Sequence, residues 1–207
     1  MVILENIYKF YNKIPVLENI NVEFKEGLKT SILGPNGSGK TTLIKIIVNL
    51  IFPTKGKVIL KTKNFSYLPQ KPDFPKNLRC KEIINVIREI RNQENKYIDE
   101  LIEMFEFKNY MNKFFDELSE GTKQKLSLIT TLMFDCDLYI LDEPTTSLDI
   151  TSSIKLKNYL KQMNKTIIFS THILEEAEFL SNQALILKDG KIKFFGNSER
   201  IKDEILN

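Results

Sequence analysis

The segment 34–41, with the sequence GPNGSGKT, restricts the possible folds of this chain more than any other segment. It stands between a segment at 28–33, predicted to be a strand that ends in this loop, and a run at 41–51 with the apolar spacing of a buried helix. Glycine lets backbone amides approach an anion closely, and the start of the helix adds the positive end of its dipole. The order of strand, loop and helix therefore predicts an α/β fold with a phosphate site at this loop.

Two side chains at the end of this loop indicate a nucleotide. Lys40 can reach the β- and γ-phosphates, and the Thr41 hydroxyl is an oxygen ligand of the kind that Mg²⁺ prefers. A glycine-rich turn that matches the pattern by chance is the alternative, and the flanking strand and helix argue against it. The predicted nucleotide contacts in the loop are Gly34, Asn36, Gly37, Ser38, Gly39, Lys40, Thr41 and Thr42.

Two carboxylates follow the apolar run at 138–141, which is typical of a strand inside a parallel sheet. Asp142 and Glu143 then stand at the carboxyl end of that strand, where open parallel sheets hold ligands. We expect Asp142 to hold Mg²⁺ through a water molecule, and Glu143 to orient and deprotonate the water that attacks the γ-phosphate. Alone, an acidic pair at a strand end is more often solvated; after a phosphate loop, the catalytic interpretation is favoured.

The first part of the chain has the pattern of half-buried strands. Residues 2–7 and 16–24 alternate apolar and polar side chains, and Asn12 and Lys13 indicate a turn between them. We therefore predict an antiparallel β edge over about residues 1–30.

The rest of the chain alternates between helical and strand patterns. Residues 78–118 carry apolar side chains at helical spacing, which predicts a helical insertion. The runs at 138–141 and 166–169 predict central strands, with a helix at 151–163 between them. Residues 184–195 hold two apolar runs around a turn, which predicts a hairpin. The predicted fold class is α/β with a mainly parallel sheet.

Composition limits the partners and the compartment. The hydrophobic content of 42% is enough for a substantial core, and a net charge of +3 is too small and too dispersed to indicate nucleic acid. Cys80 and Cys136 have no metal-like spacing, which favours a reducing cytosol. The sequence has no signal-peptide pattern and no apolar run of about twenty residues, so we expect a soluble chain without a membrane span.

Five further motifs complete a resemblance to the nucleotide-binding domain of ABC transporters, over nearly the whole chain. Tyr67-Leu68-Pro69-Gln70 resembles the family's glutamine loop, and Leu118-Ser119-Glu120-Gly121-Thr122 resembles its signature. The remaining three are single residues or a short loop: Tyr11, Ser147-Leu148-Asp149 and His172, the only histidine in the chain. Their joint order is specific to the family, although no single motif is decisive.

The resemblance implies a role for each of these positions. Tyr11 stacks on adenine, although Tyr8 is near enough to compete, and Gln70 contacts Mg²⁺ or the attacking water and senses the membrane subunit. His172 acts as the switch histidine at the γ-phosphate. Ser119 and Gly121 bind the ATP of the opposite subunit, and Asp149 meets that subunit while it also caps the following helix.

The signature departs from the usual family pattern. Glu120 stands where the first glycine is usual, and Thr122 stands where glutamine is usual. An inward carboxylate would repel phosphate, so we predict that Glu120 points to solvent. The segment 57–70 is also short, which implies a trimmed edge sheet, and little chain follows residue 195, so we expect no added regulatory domain.

Together, these features predict one ABC-type ATPase domain over residues 1–207, with a core at 28–70 and 119–207. The resemblance implies a head-to-tail homodimer or heterodimer that binds ATP and Mg²⁺, hydrolyses ATP and drives a separate transmembrane permease. We therefore expect a cytoplasmic protein peripheral to the membrane, with no nucleic-acid partner. A non-transport ABC ATPase and a weakly hydrolysing regulatory protein are the alternatives.

Overall fold

A computed structural model describes residues 1–94 and 96–206 of the chain, so Asn95 in the predicted helical insertion lies outside the described residues. The described strands form two sheets, of three and six strands. The strands are β1 (Val2–Tyr11), β2 (Ile14–Phe24), β3 (Lys29–Leu33), β4 (Lys55–Leu60), β5 (Phe65–Leu68), β6 (Leu138–Asp142), β7 (Thr166–Thr171), β8 (Gln183–Lys188) and β9 (Lys191–Asn197).

The larger sheet confirms the prediction of a mainly parallel core. Its strand order is β5-β6-β7-β3-β8-β9, and every neighbouring pair is parallel except the hairpin of β8 and β9. All residues of β6 and β7 are buried, as expected for central strands that are covered on both faces. The carboxyl ends of β3, β6 and β7 therefore meet at one edge of the sheet.

The smaller sheet corrects one predicted boundary. β1 pairs with β2 around the turn at Asn12 and Lys13, as predicted, but β1 also pairs with β4 through contacts such as Leu4↔Val58. The sequence-based boundary had placed β4 in the core at 28–70. That boundary was wrong because the paired residues lie from 47 (Tyr8↔Lys55) to 58 (Val2↔Leu60) positions apart in the chain, and local periodicity carries no information about such a distant partner.

The α-helices are α1 (Lys40–Ile47), α2 (Cys80–Arg91), α3 (Ile98–Met104), α4 (Glu120–Leu132), α5 (Ile150–Gln162), α6 (Leu174–Leu180) and α7 (Ile201–Leu206). Short 3₁₀ helices at Phe107–Tyr110 and Phe115–Glu117 complete the helical insertion. The first helix ends earlier than the predicted residue 51. Asn49 adopts a left-handed φ of 58° just beyond it, a conformation common after helix ends.

Two apolar cores lie on opposite faces of the parallel sheet. Leu138 and Ile140 pack with α1 and the antiparallel sheet, whereas Tyr139 and Leu141 pack with the helical insertion and α4. Because successive side chains of a strand point to opposite faces, Asp142 projects on the side of α1. Within the described residues, no helix is long and apolar enough to cross a membrane.

Candidate functional site

A cavity of about 330 Å³ lies where the loop after β3 meets the ends of β5 and β6. Most of its lining consists of residues that the sequence predicted. The lining residues are Val16, Asn36, Gly37, Gly39, Lys40, Thr41, Thr42, Gln70 and Glu143.

The loop at residues 34–39 is shaped by glycines that no other residue could replace without strain. A Cβ on Gly34 would lie 2.1 Å from the carbonyl oxygen of Leu187, and Gly39 adopts a φ of +105°. The first glycine therefore allows close packing on β8, and the second allows the sharp turn into α1. Ser38 is buried, and its hydroxyl oxygen has no hydrogen-bond partner among the described residues.

Lys40 lies almost fully buried at the start of α1, with 5% of its side chain exposed. Its Nζ donates hydrogen bonds to the carbonyl oxygens of Gly34 and Pro35, at 2.9 and 3.1 Å. The same ammonium lies 3.5 Å from Oε1 of Glu143. The loop thus holds a positive charge inside the cavity and directly beside the carboxylate of the predicted base.

Glu143 is the carboxylate at which the predicted groups converge. Gln70 Nε2 donates to its Oε2 at 3.3 Å, and His172 Nδ1 lies 3.5 Å from its Oε1. Burial opposes the charged form, but the Gln70 hydrogen bond and the Lys40 charge outweigh it and hold the pKa of Glu143 below its ordinary value. The residue is therefore a carboxylate at neutral pH, which a general base requires.

Asp142 is fully buried beside Glu143, and its two oxygens differ. Oδ1 accepts a hydrogen bond from the Ser170 hydroxyl at 2.6 Å, whereas Oδ2 has no partner among the described residues. Burial raises the pKa of Asp142, and the Ser170 hydrogen bond and the nearby Thr41 hydroxyl oppose that rise. A buried carboxylate oxygen without a partner, next to the Thr41 hydroxyl, fits the oxygen ligands that Mg²⁺ requires.

Two residues of this site have no counterpart in the sequence-based prediction. Ser170 on β7 donates to Asp142, and its oxygen accepts the Glu143 backbone N–H at 2.9 Å, so one hydroxyl orients both acidic residues. Val16 on β2 also lines the cavity, next to Gly39 of the phosphate loop. For Ser170, the only available signal in the sequence was a serine between the apolar residues of the run at 166–169 and His172. The sequence held no signal that Val16 would line the cavity.

Tyr11 lies outside the lining of this cavity. It ends β1 with 47% of the residue exposed, and Nζ of Lys9 lies 5.0 Å from the centroid of its ring. The competing Tyr8 stacks on Phe10, with ring centroids 6.4 Å apart. The ring of Tyr11 is therefore more accessible to a ligand than the ring of Tyr8. Stacking of adenine on Tyr11 stays a prediction.

The signature and the 147–149 loop lie together, away from the lining of the cavity. A Cβ on Gly121 would approach the Ser147 carbonyl oxygen to 2.7 Å, and Lys125 Nζ lies 2.9 Å from the Asp149 carboxylate. Ser119 caps α4 by accepting from Thr122 N, and Asp149 caps α5 by accepting from Ser152 N. The Glu120 side chain is 76% exposed and paired with Lys123, so it points to solvent as predicted.

Comparison with known proteins places these observations in a family. A family model described as "ABC transporter" matches residues 17–146, which is more than half of the chain. The chain belongs to the ABC transporter family. An ABC transporter ATP-binding subunit binds and hydrolyses ATP, so the predicted fold, ATP binding and ATPase activity are confirmed at the level of the family.

Individual ABC transporter proteins match most of the chain. MJ1023 of Methanocaldococcus jannaschii, an ABC transporter ATP-binding protein, is 34% identical over 205 residues, which cover 96% of this chain and 78% of that protein. YxlF of Bacillus subtilis, another such protein, is 30% identical over 216 residues, covering 99% and 73%. A dimeric post-hydrolysis structure of the ATP-binding cassette MJ0796 with ADP and Pi has a TM-score of 0.84 at 27% identity, covering 96% of this chain and 99% of that one. That structure supports dimerisation of the nucleotide-binding domain.

Proposed function

We propose that this ABC ATPase hydrolyses ATP at the cavity between the phosphate loop and Glu143, with each residue in the role that its contacts support. The main evidence is the geometry around the Glu143 carboxylate, which has Lys40, Gln70 and His172 all within 3.5 Å. Lys40 and His172 stabilise charge on the transferred phosphoryl group, and Gln70 and Glu143 orient the attacking water. Glu143 then accepts the proton of that water.

The residues on the α1 side of the sheet hold the metal of this site. Thr41, Gln70 and Asp142 offer hydroxyl, amide and carboxylate oxygens, and Asp142 has the unpartnered Oδ2. Bound Mg²⁺ supplies positive charge that offsets the phosphate charges and orients the nucleotide. Lys40 and the backbone amides of residues 34–42 bind the phosphates beside it, and the adenine stacks on the exposed ring of Tyr11.

The cavity becomes a complete site only when a second nucleotide-binding domain covers it. Ser119 and Gly121 begin α4 on an exposed surface, and a hydroxyl and free amides at a helix start bind anions well. In a head-to-tail dimer, these groups contact the γ-phosphate bound by the partner, and Asp149 contacts the partner's phosphate loop. ATP then stabilises the closed dimer through contacts that exist only in that state.

The same dimer drives a separate transmembrane permease. Gln70 contacts Glu143 and stands between β5 and the helical insertion, so closure at the nucleotide can move the insertion. A protein with this task works at the cytoplasmic face of a membrane, peripheral to it. FpuC of Bacillus anthracis, a petrobactin import ATP-binding protein, is 27% identical over 225 residues, which supports a role in transport for this chain.

The solution mass of the Glu143→Gln variant, with and without Mg-ATP, tests the proposal. Glutamine keeps the shape of the side chain but cannot accept the proton, so ATP should remain bound and hold two copies together. We expect a monomer without nucleotide and a dimer with Mg-ATP. The same protein with Mg-ADP is the control and should stay monomeric.

Two other outcomes would be informative. A monomer in Mg-ATP, despite measured ATP binding, would contradict a homodimer and indicate a different partner domain. Steady phosphate release by Glu143→Gln at the wild-type rate would remove Glu143 from its role as the base.

A further inference from the structure

Tyr67 lies on the face of the parallel sheet that also carries Asp142, one of the residues proposed to hold Mg²⁺. It belongs to β5, which runs parallel to β6, and its register partner there is Ile140. Side chains two residues apart on a strand share a face, so Tyr67, Ile140 and Asp142 project to the same side of the sheet. The ring packs against the core that contains α1.

Two buried oxygen atoms, the Tyr67 hydroxyl and Asp142 Oδ2, have no hydrogen-bond partner within residues 1–94 and 96–206. Buried polar atoms are nearly always hydrogen-bonded, and leaving one unpaired costs about 1–3 kcal/mol. An unpaired buried group therefore needs an explanation, and a catalytic or ion-binding role is one of them. A donor and an acceptor, both unpaired, thus lie on neighbouring strands and on one face.

The space around Tyr67 opens toward the residues proposed to hold the metal. A cavity of about 180 Å³ is lined by Tyr67 together with Thr41, Gln70 and three other residues. Thr41 and Gln70 also line the nucleotide cavity. The two cavities therefore share two of the proposed metal-binding residues, Thr41 and Gln70.

We propose that Tyr67 is a positioning residue for the metal site: its hydroxyl donates a hydrogen bond to Asp142, directly or through one water molecule, when nucleotide and metal are bound. This inference rests on the proposed metal role of Asp142. Outer hydrogen bonds of this kind orient a ligating side chain and typically change metal affinity by about 10–100-fold.

The acid–base chemistry of the pair suits this role. Burial and the nearby Asp142 carboxylate raise the pKa of Tyr67 to about 12, so the phenol keeps its proton at any physiological pH. A protonated phenol can donate to a carboxylate or to a water molecule. Phenylalanine has the same ring without the donor, so Tyr67→Phe removes the hydrogen bond and leaves the packing in place.

The test measures binding in the Glu143→Gln background, where hydrolysis does not interfere. ATP affinity is measured with Mg²⁺ and with a chelator, and the ratio of the two affinities is the metal-dependent gain. We expect Tyr67→Phe to lower this gain by about tenfold and to leave ATP affinity in the chelator unchanged. Thermal unfolding of the nucleotide-free protein should show no loss of stability, because the lost hydroxyl had no partner.

Tyr139→Phe is the matched control on the next strand. The Tyr139 hydroxyl donates to the carbonyl oxygen of Phe134 and accepts from Cys136 N, in the core on the other face of the sheet. This variant should lose stability by about 1 kcal/mol and keep the full metal-dependent gain. The two tyrosines therefore separate a structural role from a positioning role.

Asp142→Asn separates failure of this inference from failure of the proposed metal site. If Asp142→Asn abolishes the gain while Tyr67→Phe keeps it, the role of Tyr67 is overturned and the proposed site stands. If Asp142→Asn itself keeps the gain, the metal role of Asp142 and the inference on Tyr67 both fail. A gain that falls equally in Tyr67→Phe and Tyr139→Phe would also overturn the inference, because the effect would then come from packing.

Discussion

The phosphate-loop region and the signature region differ in how their polar groups are held. Lys40 and Glu143 are at least 92% buried and satisfy each other and the surrounding backbone. Ser119 and Asp149, by contrast, are exposed side chains that cap their own helices, and Asp149 also pairs with Lys125 of α4. The first region is a cavity prepared within one chain, whereas the second is a surface that becomes a site only against a partner.

This difference explains why one chain carries both regions. Buried charges need partners, so the phosphate loop requires the sheet, α1 and Glu143 around it. An anion that approaches the start of α4 needs only free backbone amides and a hydroxyl, which an exposed helix end supplies. In a head-to-tail dimer, the signature surface of each copy would therefore cover the phosphate-loop cavity of the other. A substitution can then damage the cavity or the surface separately.

The largest expected effect is that of Lys40→Ala in the cavity. The change removes the positive charge of the phosphate loop, and we expect ATP hydrolysis to fall by at least about a hundredfold, with loss of ATP binding. It also removes the ammonium beside Glu143, so the free energy of unfolding should fall by about 1–3 kcal/mol. Phosphate release, equilibrium ATP binding and thermal unfolding check the three effects.

Lys165→Ala is the control for Lys40→Ala. Lys165 forms an ion pair with Asp135 at 2.6 Å, outside the lining of the nucleotide cavity, so its loss breaks an ion pair without touching the site. It should leave ATP hydrolysis at the wild-type rate. Normal activity in Lys40→Ala would remove the phosphate loop from the mechanism.

The sequence predicted the cavity well because its chemistry is local. The phosphate loop and the pair Asp142 and Glu143 occupy single short segments, and β6, the strand before the acidic pair, is apolar up to Asp142. The apolar run fixes the strand, and the strand fixes the edge at which its last residues emerge. Because β3, β5, β6 and β7 are parallel, the residues that follow them, among them Lys40, Gln70 and His172, meet around Glu143 at one edge of the sheet.

Long-range pairing explains most of what the sequence did not predict. β4 joins the antiparallel sheet through β1, and Val16 reaches the cavity because β2 passes over Gly39. Neither contact leaves a periodic pattern in the chain. Ser170 looks like an ordinary strand residue until the register pairs it with Asp142, and so does Tyr67 until the register pairs it with Ile140, two residues before Asp142 on the same face. These positions depend on which strands are neighbours, and local propensity does not determine that.

Ser119→Asp damages the surface while it spares the fold. Aspartate caps a helix as well as serine, so the stability of the protein should stay within about 0.5 kcal/mol. Its negative charge repels the phosphate of the partner's ATP, and we expect the rate to fall by at least about tenfold. Ser119→Asn is the matched control, because asparagine caps α4 without the charge, and it should keep more activity than Ser119→Asp.

Mixing Lys40→Ala with Ser119→Asp tests whether the two regions meet across a dimer. In a head-to-tail pair of the two variants, one composite site carries both changes and the other carries neither. Random pairing should then restore about a quarter of the wild-type rate, although each variant alone is impaired. A rate no higher than the mean of the two separate variants would show that the cavity and the signature of two copies do not form one site.

The smallest expected effect concerns Asp149, whose charge stabilises the surface region without any ligand. The Ser152 backbone N–H and the Lys125 ammonium hold the pKa of Asp149 below its ordinary value. A lowered pKa contributes stability that is fully present above the unfolded pKa, about 3.9, and is lost as the pH falls through the folded pKa. Asp149→Asn keeps the cap and loses the charge, so at pH 7 it should unfold more easily by only about 0.5 kcal/mol, since the side chain is 55% exposed.

Denaturant unfolding of Asp149→Asn and wild type at several pH values measures that difference. It should be constant from pH 7 to about pH 5 and shrink below about pH 4, because the unfolded wild-type chain then takes up a proton at Asp149. The difference should vanish once the pH also falls below the folded pKa. Asp149→Ala is the control: it also loses the helix cap, so a deficit of about 1 kcal/mol should remain at every pH. A difference between Asp149→Asn and wild type that persists unchanged at pH 3 would mean that packing, and not charge, holds this loop. The signature region would then resemble the phosphate-loop region, in which contacts between buried groups hold the side chains in place.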